Sequence, residues 1–199
     1  MVGGVLTSSR SSPPRRPTGT VTTALSLRRG VVSLTATIDV REMEGRLPLE
    51  HSDDAVEIPG ARRLLNELTA LAAPWTIVTS GTEPLVGGWL KVLNFTTPDH
   101  LVTAESVQNG KPDPACYVLG REKLGLQGPD KEILVLEDSP AGIKAGRAAG
   151  CKVVGLVTSH TFEQVAAAGP DWVVQDLDSL KAVKMEGGKV VIEFSNLLG

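Results

Sequence analysis

The chain has 199 residues, with 20 Lys and Arg against 23 Asp and Glu, a net charge of −3, two cysteines and 41% hydrophobic residues. That length suits one domain with a real core, and an acidic balance argues against phosphate-backbone binding, which needs clustered Lys and Arg. No apolar run approaches the roughly 18–20 residues of a membrane span. Cys116 and Cys151 form no C-x-x-C pair, so a disulfide framework or structural zinc site is disfavoured and a reducing, cytoplasmic setting is expected.

Residues 1–38 are a different kind of sequence. They hold Arg10, Arg15, Arg16, Arg28 and Arg29, 13 Ser and Thr, and no Asp, Glu or Lys. The remaining 15 basic and all 23 acidic residues therefore lie in 39–199. An Arg-rich, Ser-rich, acid-free start has the composition of a mitochondrial transit peptide, whereas Pro13, Pro14 and Pro17 would break the helix such peptides need. A disordered tail, or a stretch foreign to the rest of the domain, is the alternative expectation. Val31–Ile38 is β-branched enough to predict a strand.

From residue 55 strands and helices alternate. Leu64, Leu65, Leu68, Leu71 and Ala72 recur at helical spacing between Pro59-Gly60 and Pro74. Residues 75–79 predict a strand, and Pro84 opens a helix carrying Leu85, Val86, Trp89, Leu90 and Leu93. A short strand is expected over 101–104 and a helix over 112–124. Ile133–Leu136 is a continuous apolar run ending at Glu137-Asp138, and Pro140 starts a helix stopped by Gly150. Strands over 152–157 and 172–174 flank a helix around 162–168, and Gly187-Gly188 predicts a hairpin turn. Apolar, non-alternating strands separated by helices imply a Rossmann-like α/β fold, a three-layer sandwich around a parallel sheet. Trp75, Trp89 and Trp172 fall on apolar faces and are expected in the core, while His51, His100 and His160 receive no role.

In such sheets ligands sit at the carboxyl ends of the strands, which selects three places. Ser80-Gly81-Thr82 supplies hydroxyls and an amide before a helix N-terminus, suited to a phosphate or equally to an ordinary cap. Lys111, ahead of Pro112, puts a cation near a helix start, where an anion would be needed beside it. Alone, it reads as a solvated lysine. Glu137-Asp138 closes an apolar strand with two carboxylates, a composition suited to Mg²⁺, although Asp138 could simply cap the next helix. Together they describe a Mg²⁺-dependent phosphoryl-transfer pocket. Gly142, Gly146 and Gly150 bare one face of the following helix, as close packing on the sheet would require.

The run from Val135 to Gly150 resembles motif four of haloacid dehalogenase superfamily phosphatases. Ile77–Thr82 resembles motif two, and Gly110–Pro114 motif three. The wording, including Val56–Ala61, is similar to the fungal glycerol-3-phosphate and 2-deoxyglucose-6-phosphate phosphatases. The resemblance covers roughly residues 40–195 and implies that Ser80, Gly81 and Lys111 bind phosphate. It also implies that Asp138, with Glu137, holds Mg²⁺, and that the substrate is a small phosphorylated polyol or sugar. Three segments are expected: a basic segment 1–38, a cap-helix remnant 39–54, and a core 55–199.

The family's opening strand ends in Asp-x-Asp-Gly-Thr, which supplies nucleophile and general acid, and no such pentapeptide occurs here. That strand lies centrally in the family's sheet, between the strands ending at Asp138 and Ser80. Val31–Ile38 is the candidate to fill its place, which would put Asp39 where the nucleophile belongs. Two functions therefore remain open: a phosphatase, or a catalytically inactive phosphometabolite-binding protein.

Overall fold

The computed structural model describes residues 39–128 and 131–199, together with the backbone of residues 2–3, 21–26 and 31–36. Near the start of the chain are strands β1 (Val2–Gly3), β2 (Val21–Ser26) and β3 (Val31–Ala36), followed by helix α1 (Val40–Glu50). Then come α2 (Ala61–Ala70), β4 (Ile77–Val78), α3 (Glu83–Val92), β5 (Leu101–Val102) and α4 (Ala115–Lys123). The chain continues through β6 (Leu134–Glu137), α5 (Pro140–Ala148), β7 (Lys152–Leu156) and α6 (Phe162–Ala167). It ends with β8 (Trp172–Val174) and a hairpin of β9 (Leu180–Glu186) and β10 (Lys189–Phe194). None of the described helices is long and apolar enough to cross a membrane.

Parallel strands in the order β1-β6-β7-β8 form one sheet, and β4 pairs parallel with β5. The α/β expectation holds, with strands shorter than their apolar runs. Trp75 and Thr76 stay outside β4, and α4 starts at Ala115 rather than at Pro112. Pro114 is the N-cap, and the Asp113 Oδ1 just ahead of it accepts from the Ala115 amide at 2.9 Å, holding the preceding residues in a turn.

Alternation along the strands sorts the core onto two faces. Leu136, Val154 and Val174 pack with Leu64, Leu68 and Leu90 on one side. Val135, Val153 and Val173 pack with Tyr117, Ile143 and Val165 on the other. On the first side Arg63 of α2 reaches the Leu180 carbonyl at 2.8 Å, and Glu67 accepts from the Ala182 amide at 2.9 Å. Both bonds fasten the β9–β10 hairpin to α2.

The place beside β6 is filled, but not by the segment offered as its substitute. Val2 and Gly3 pair with Leu134 and Val135, and β1 also approaches β4. Val31–Ala36 instead pairs antiparallel with Val21–Ser26 in a separate ribbon. A nearby complementary strand satisfies β3's backbone groups without crossing to the main sheet. The rest of 1–38, including Ile38, lies outside the described residues. Asp39 then caps α1, with its Oδ1 accepting from the Arg41 amide at 2.9 Å.

Candidate functional site at the strand ends

Lys111 and Glu137 come together at the carboxyl ends of β4 and β6. The Lys111 Nζ donates to Glu137 Oε2 at 2.6 Å and to the Val78 carbonyl at 3.3 Å. Its side chain is only 7% exposed, so the lysine is no solvated surface cation. It bridges two strand ends, and these two bonds use two of an ammonium's three donors.

Glu137 is saturated. Its Oε2 also accepts from the Tyr117 hydroxyl, and Oε1 accepts from the Ser139 amide at 3.1 Å and the Ser139 hydroxyl at 2.9 Å. Burial pushes its pKa up, and the Lys111 charge with bonds from Lys111, Tyr117 and Ser139 overcomes this, leaving the carboxyl below its ordinary value. Burial, together with the Glu137 charge, pushes the Tyr117 hydroxyl well above its own. Glu137 fits against α5 because residue 142 is glycine: a Cβ there would fall 2.1 Å from the Glu137 carboxyl carbon. Gly146 likewise sits over Val153 and Val135. Gly150 has open space around it and φ +75°, so it serves the helix stop rather than the packing.

Asp138, 1% exposed, follows the last β6 residue and faces the other way from Glu137. Its Oδ2 accepts from the Ser159 hydroxyl at 2.6 Å, with Thr158 Oγ1 at 3.5 Å, and Ser159 in turn meets His160 Nδ1 at 2.8 Å. Its expected alternative role as a helix cap falls instead to Ser139, whose hydroxyl accepts from the Gly142 amide at 3.0 Å.

The start of α3 is arranged differently from the expected phosphate cradle. Ser80 is half-buried just beyond β4. The Gly81 amide donates to Thr79 Oγ1 at 3.0 Å, the Thr82 amide to Glu44 Oε2 at 2.9 Å, and the Glu83 amide to the Glu105 carboxylate at 3.2 Å. The chain's own oxygens thus occupy amides that were expected to meet an anion. Glu44 comes from α1, which packs on α3 where Gly88 leaves room for Pro48. Arg41 at 3.3 Å from Glu105 offsets part of that acidity.

Asp39 is exposed at the α1 cap, and no described contact joins it to Lys111, Glu137 or Asp138. Sequence reasoning missed Tyr117, Thr158, Ser159, His160 and Glu44. A buried tyrosine needs a partner for its hydroxyl, which signals Tyr117. The strand-end rule, extended to β7, would have selected 158–160. Glu44 had no signal, because its partner lies 38 residues away.

A Mg²⁺ ion was expected on Glu137 and Asp138. Glu137 does not fit, since both its oxygens already accept from Lys111, Tyr117 and Ser139. Asp138 fits as a single hard carboxylate at a strand end, a donor Mg²⁺ takes alongside substrate phosphate and water. Among the described residues no three His, Cys, Asp or Glu side chains cluster into a metal cage.

The haloacid dehalogenase-like hydrolase family matches residues 20–150, so the match opens inside the basic segment. The chain is 38% identical over 148 residues to glycerol-1-phosphate phosphohydrolase 1 of Saccharomyces cerevisiae, covering 71% of this chain but 59% of that protein. It is 38% identical over 182 residues to 2-deoxyglucose-6-phosphate phosphatase 1 of the same yeast, covering 81% of this chain and 74% of the relative. Hexitol phosphatase A of Escherichia coli is 36% identical over 150 residues, with 73% and 68% covered. A hydrolase from Pseudomonas syringae shares the fold with a TM-score of 0.60 at 27% identity, covering 68% of this chain and 65% of that one. Motifs, fold and relatives agree: the chain belongs to the haloacid dehalogenase-like hydrolase family.

Proposed function

We propose that this chain acts on the phosphomonoester of a small polyol or sugar, binding its phosphate at the strand ends and releasing it by hydrolysis. The observation that carries this reading is Lys111, a nearly buried cation fixed between the ends of β4 and β6 by Val78 and Glu137. A buried ammonium held on a framework is pre-positioned to neutralise phosphate charge, so little ordering cost falls on binding. Tyr117 and Ser139 fix the Glu137 carboxylate, and through it the lysine. Ser80 would add a hydroxyl to the phosphate. Asp138 would hold Mg²⁺, which when bound supplies further positive charge at the phosphate oxygens. The names of the yeast and bacterial relatives point to the same class of substrate.

A second reading is phosphate binding without turnover. It is favoured by the strand beside β6, where Val2-Gly3 brings no carboxylate to act as nucleophile, and by Asp39 being spent on capping α1. Glycerol 1-phosphate and a panel of sugar 6-phosphates, with and without Mg²⁺, separate the two. Phosphate release lost in Lys111→Ala and Asp138→Asn, both checked for folding by circular dichroism, supports hydrolysis. Calorimetric binding without release supports the second reading, and neither binding nor release overturns both.

A further inference from the structure

A cleft of about 530 Å³ opens at the end of the sheet opposite Lys111 and Asp138, between the amino ends of β6, β7 and β8 and the tip of the β9–β10 hairpin. Its volume is in the range of about 300–1,000 Å³ typical of small-molecule sites. Among the described residues, three of its four charged lining residues are lysines: Lys131, Lys152 and Lys189, with Glu132 the fourth. In residues 39–199, where 23 acidic residues outnumber 15 basic ones, three ammonium groups around one opening run against the general balance.

Two of these lysines are anchored. Lys152 Nζ lies 2.9 Å from Asp171 Oδ1, and Lys189 Nζ bonds Glu132 across 57 positions of sequence. Lys189 opens β10 directly after the Gly187-Gly188 turn, both glycines at positive φ, so the second pair ties the hairpin tip to the segment before β6. Both pairs are open to solvent, with Lys152 61% exposed and Lys189 63% exposed, so an arriving anion can reach either ammonium. Beside the lysines stands an aromatic wall. Trp172, expected in the core, is instead 38% exposed, with its ring centroid 5.3 Å from that of Phe194. The floor is apolar, formed by residues such as Ile133. Lysine is a point-charge binder of phosphate, and a partly exposed indole offers a planar ring an aromatic partner.

The geometry points to a second ligand site here, for a planar aromatic phosphate of nucleoside monophosphate size, with its ring on Trp172 and its phosphate among the lysines. It is independent of the strand-end site: Leu134 at its rim and Glu137 at the other end of β6 are about 10 Å apart along the strand.

The test is equilibrium dialysis with adenosine 5′-monophosphate, adenosine and inorganic phosphate, on the full chain. Saturable 1:1 binding of the monophosphate is expected, with adenosine and phosphate each at least tenfold weaker. Trp172→Leu and the exposed hairpin-tip variant Lys189→Gln should each weaken it at least tenfold, and excess glycerol 1-phosphate should not displace it. No saturation at 10 mM, unchanged binding in both variants, or displacement by glycerol 1-phosphate each overturns the proposal.

Discussion

Lys111 Nζ lies 2.6 Å from Glu137 Oε2, and the two side chains are 7% and 1% exposed. Removing one partner of such a pair leaves a buried charge without compensation, at a cost of about 3–5 kcal/mol. Lys111→Met should therefore lower the urea midpoint markedly. The double variant Lys111→Met/Glu137→Leu should recover part of the loss. Equal midpoints for Lys111→Met and the parent chain would show that the pair carries no structural weight.

Gly142 lies against the Glu137 carboxyl group, with no room for a methyl group. Gly142→Ala should displace Glu137 from Ser139 and Lys111, despite alanine's better helix propensity of about 1 kcal/mol. A thermal melt should show strong destabilisation. Gly150→Ala tests the other role of glycine in this helix, a positive φ with open space around it, and should cost less.

Asp171 ties β8 to β7. Its Oδ2 accepts from the Val153 amide at 2.8 Å, and its Oδ1 from Lys152 at 2.9 Å. Burial works to raise its pKa, but the bonds from Lys152 and Val153 prevail and hold it below the ordinary 3.8. A depressed folded-state pKa gives stability that is fully present above the unfolded value and is lost as pH falls through the folded one. Urea midpoints at pH 6 and pH 3 should therefore fall less in Asp171→Asn than in the parent chain.

Asp39 caps α1, so Asp39→Ala should cost about 1 kcal/mol of stability, whereas Asp39→Asn should be near neutral. Neither should change phosphate release. A loss of release in Asp39→Asn, with the melting temperature unchanged, would return Asp39 to the role of nucleophile.

The sheet, its helices and the strand-end position of Lys111 and Asp138 were legible in the sequence. Apolar runs bounded by Pro, Gly and acidic residues reflect burial on both faces, and burial is written into composition position by position. Expected ends such as 75–79 were less reliable, because strand length depends on how far a neighbouring strand extends. Ile77-Val78 pairs only as far as Leu101-Val102 does.

What only the tertiary structure decided was partner choice. Val2–Gly3 rather than Val31–Ala36 lies beside β6, since several β-branched segments suit one vacancy and geometry selects among them. Glu137 turns to Lys111, Tyr117 and Ser139 while Asp138 turns to Ser159, a division set by strand alternation and by the space at Gly142. Trp172 opens its strand at the rim of the cleft, 38% exposed against Phe194 of the hairpin, rather than in the core. By itself, the sequence determined the fold class and the chemistry available to it. Which polar groups satisfy one another was decided by contacts far apart in the chain, and no local pattern encodes those.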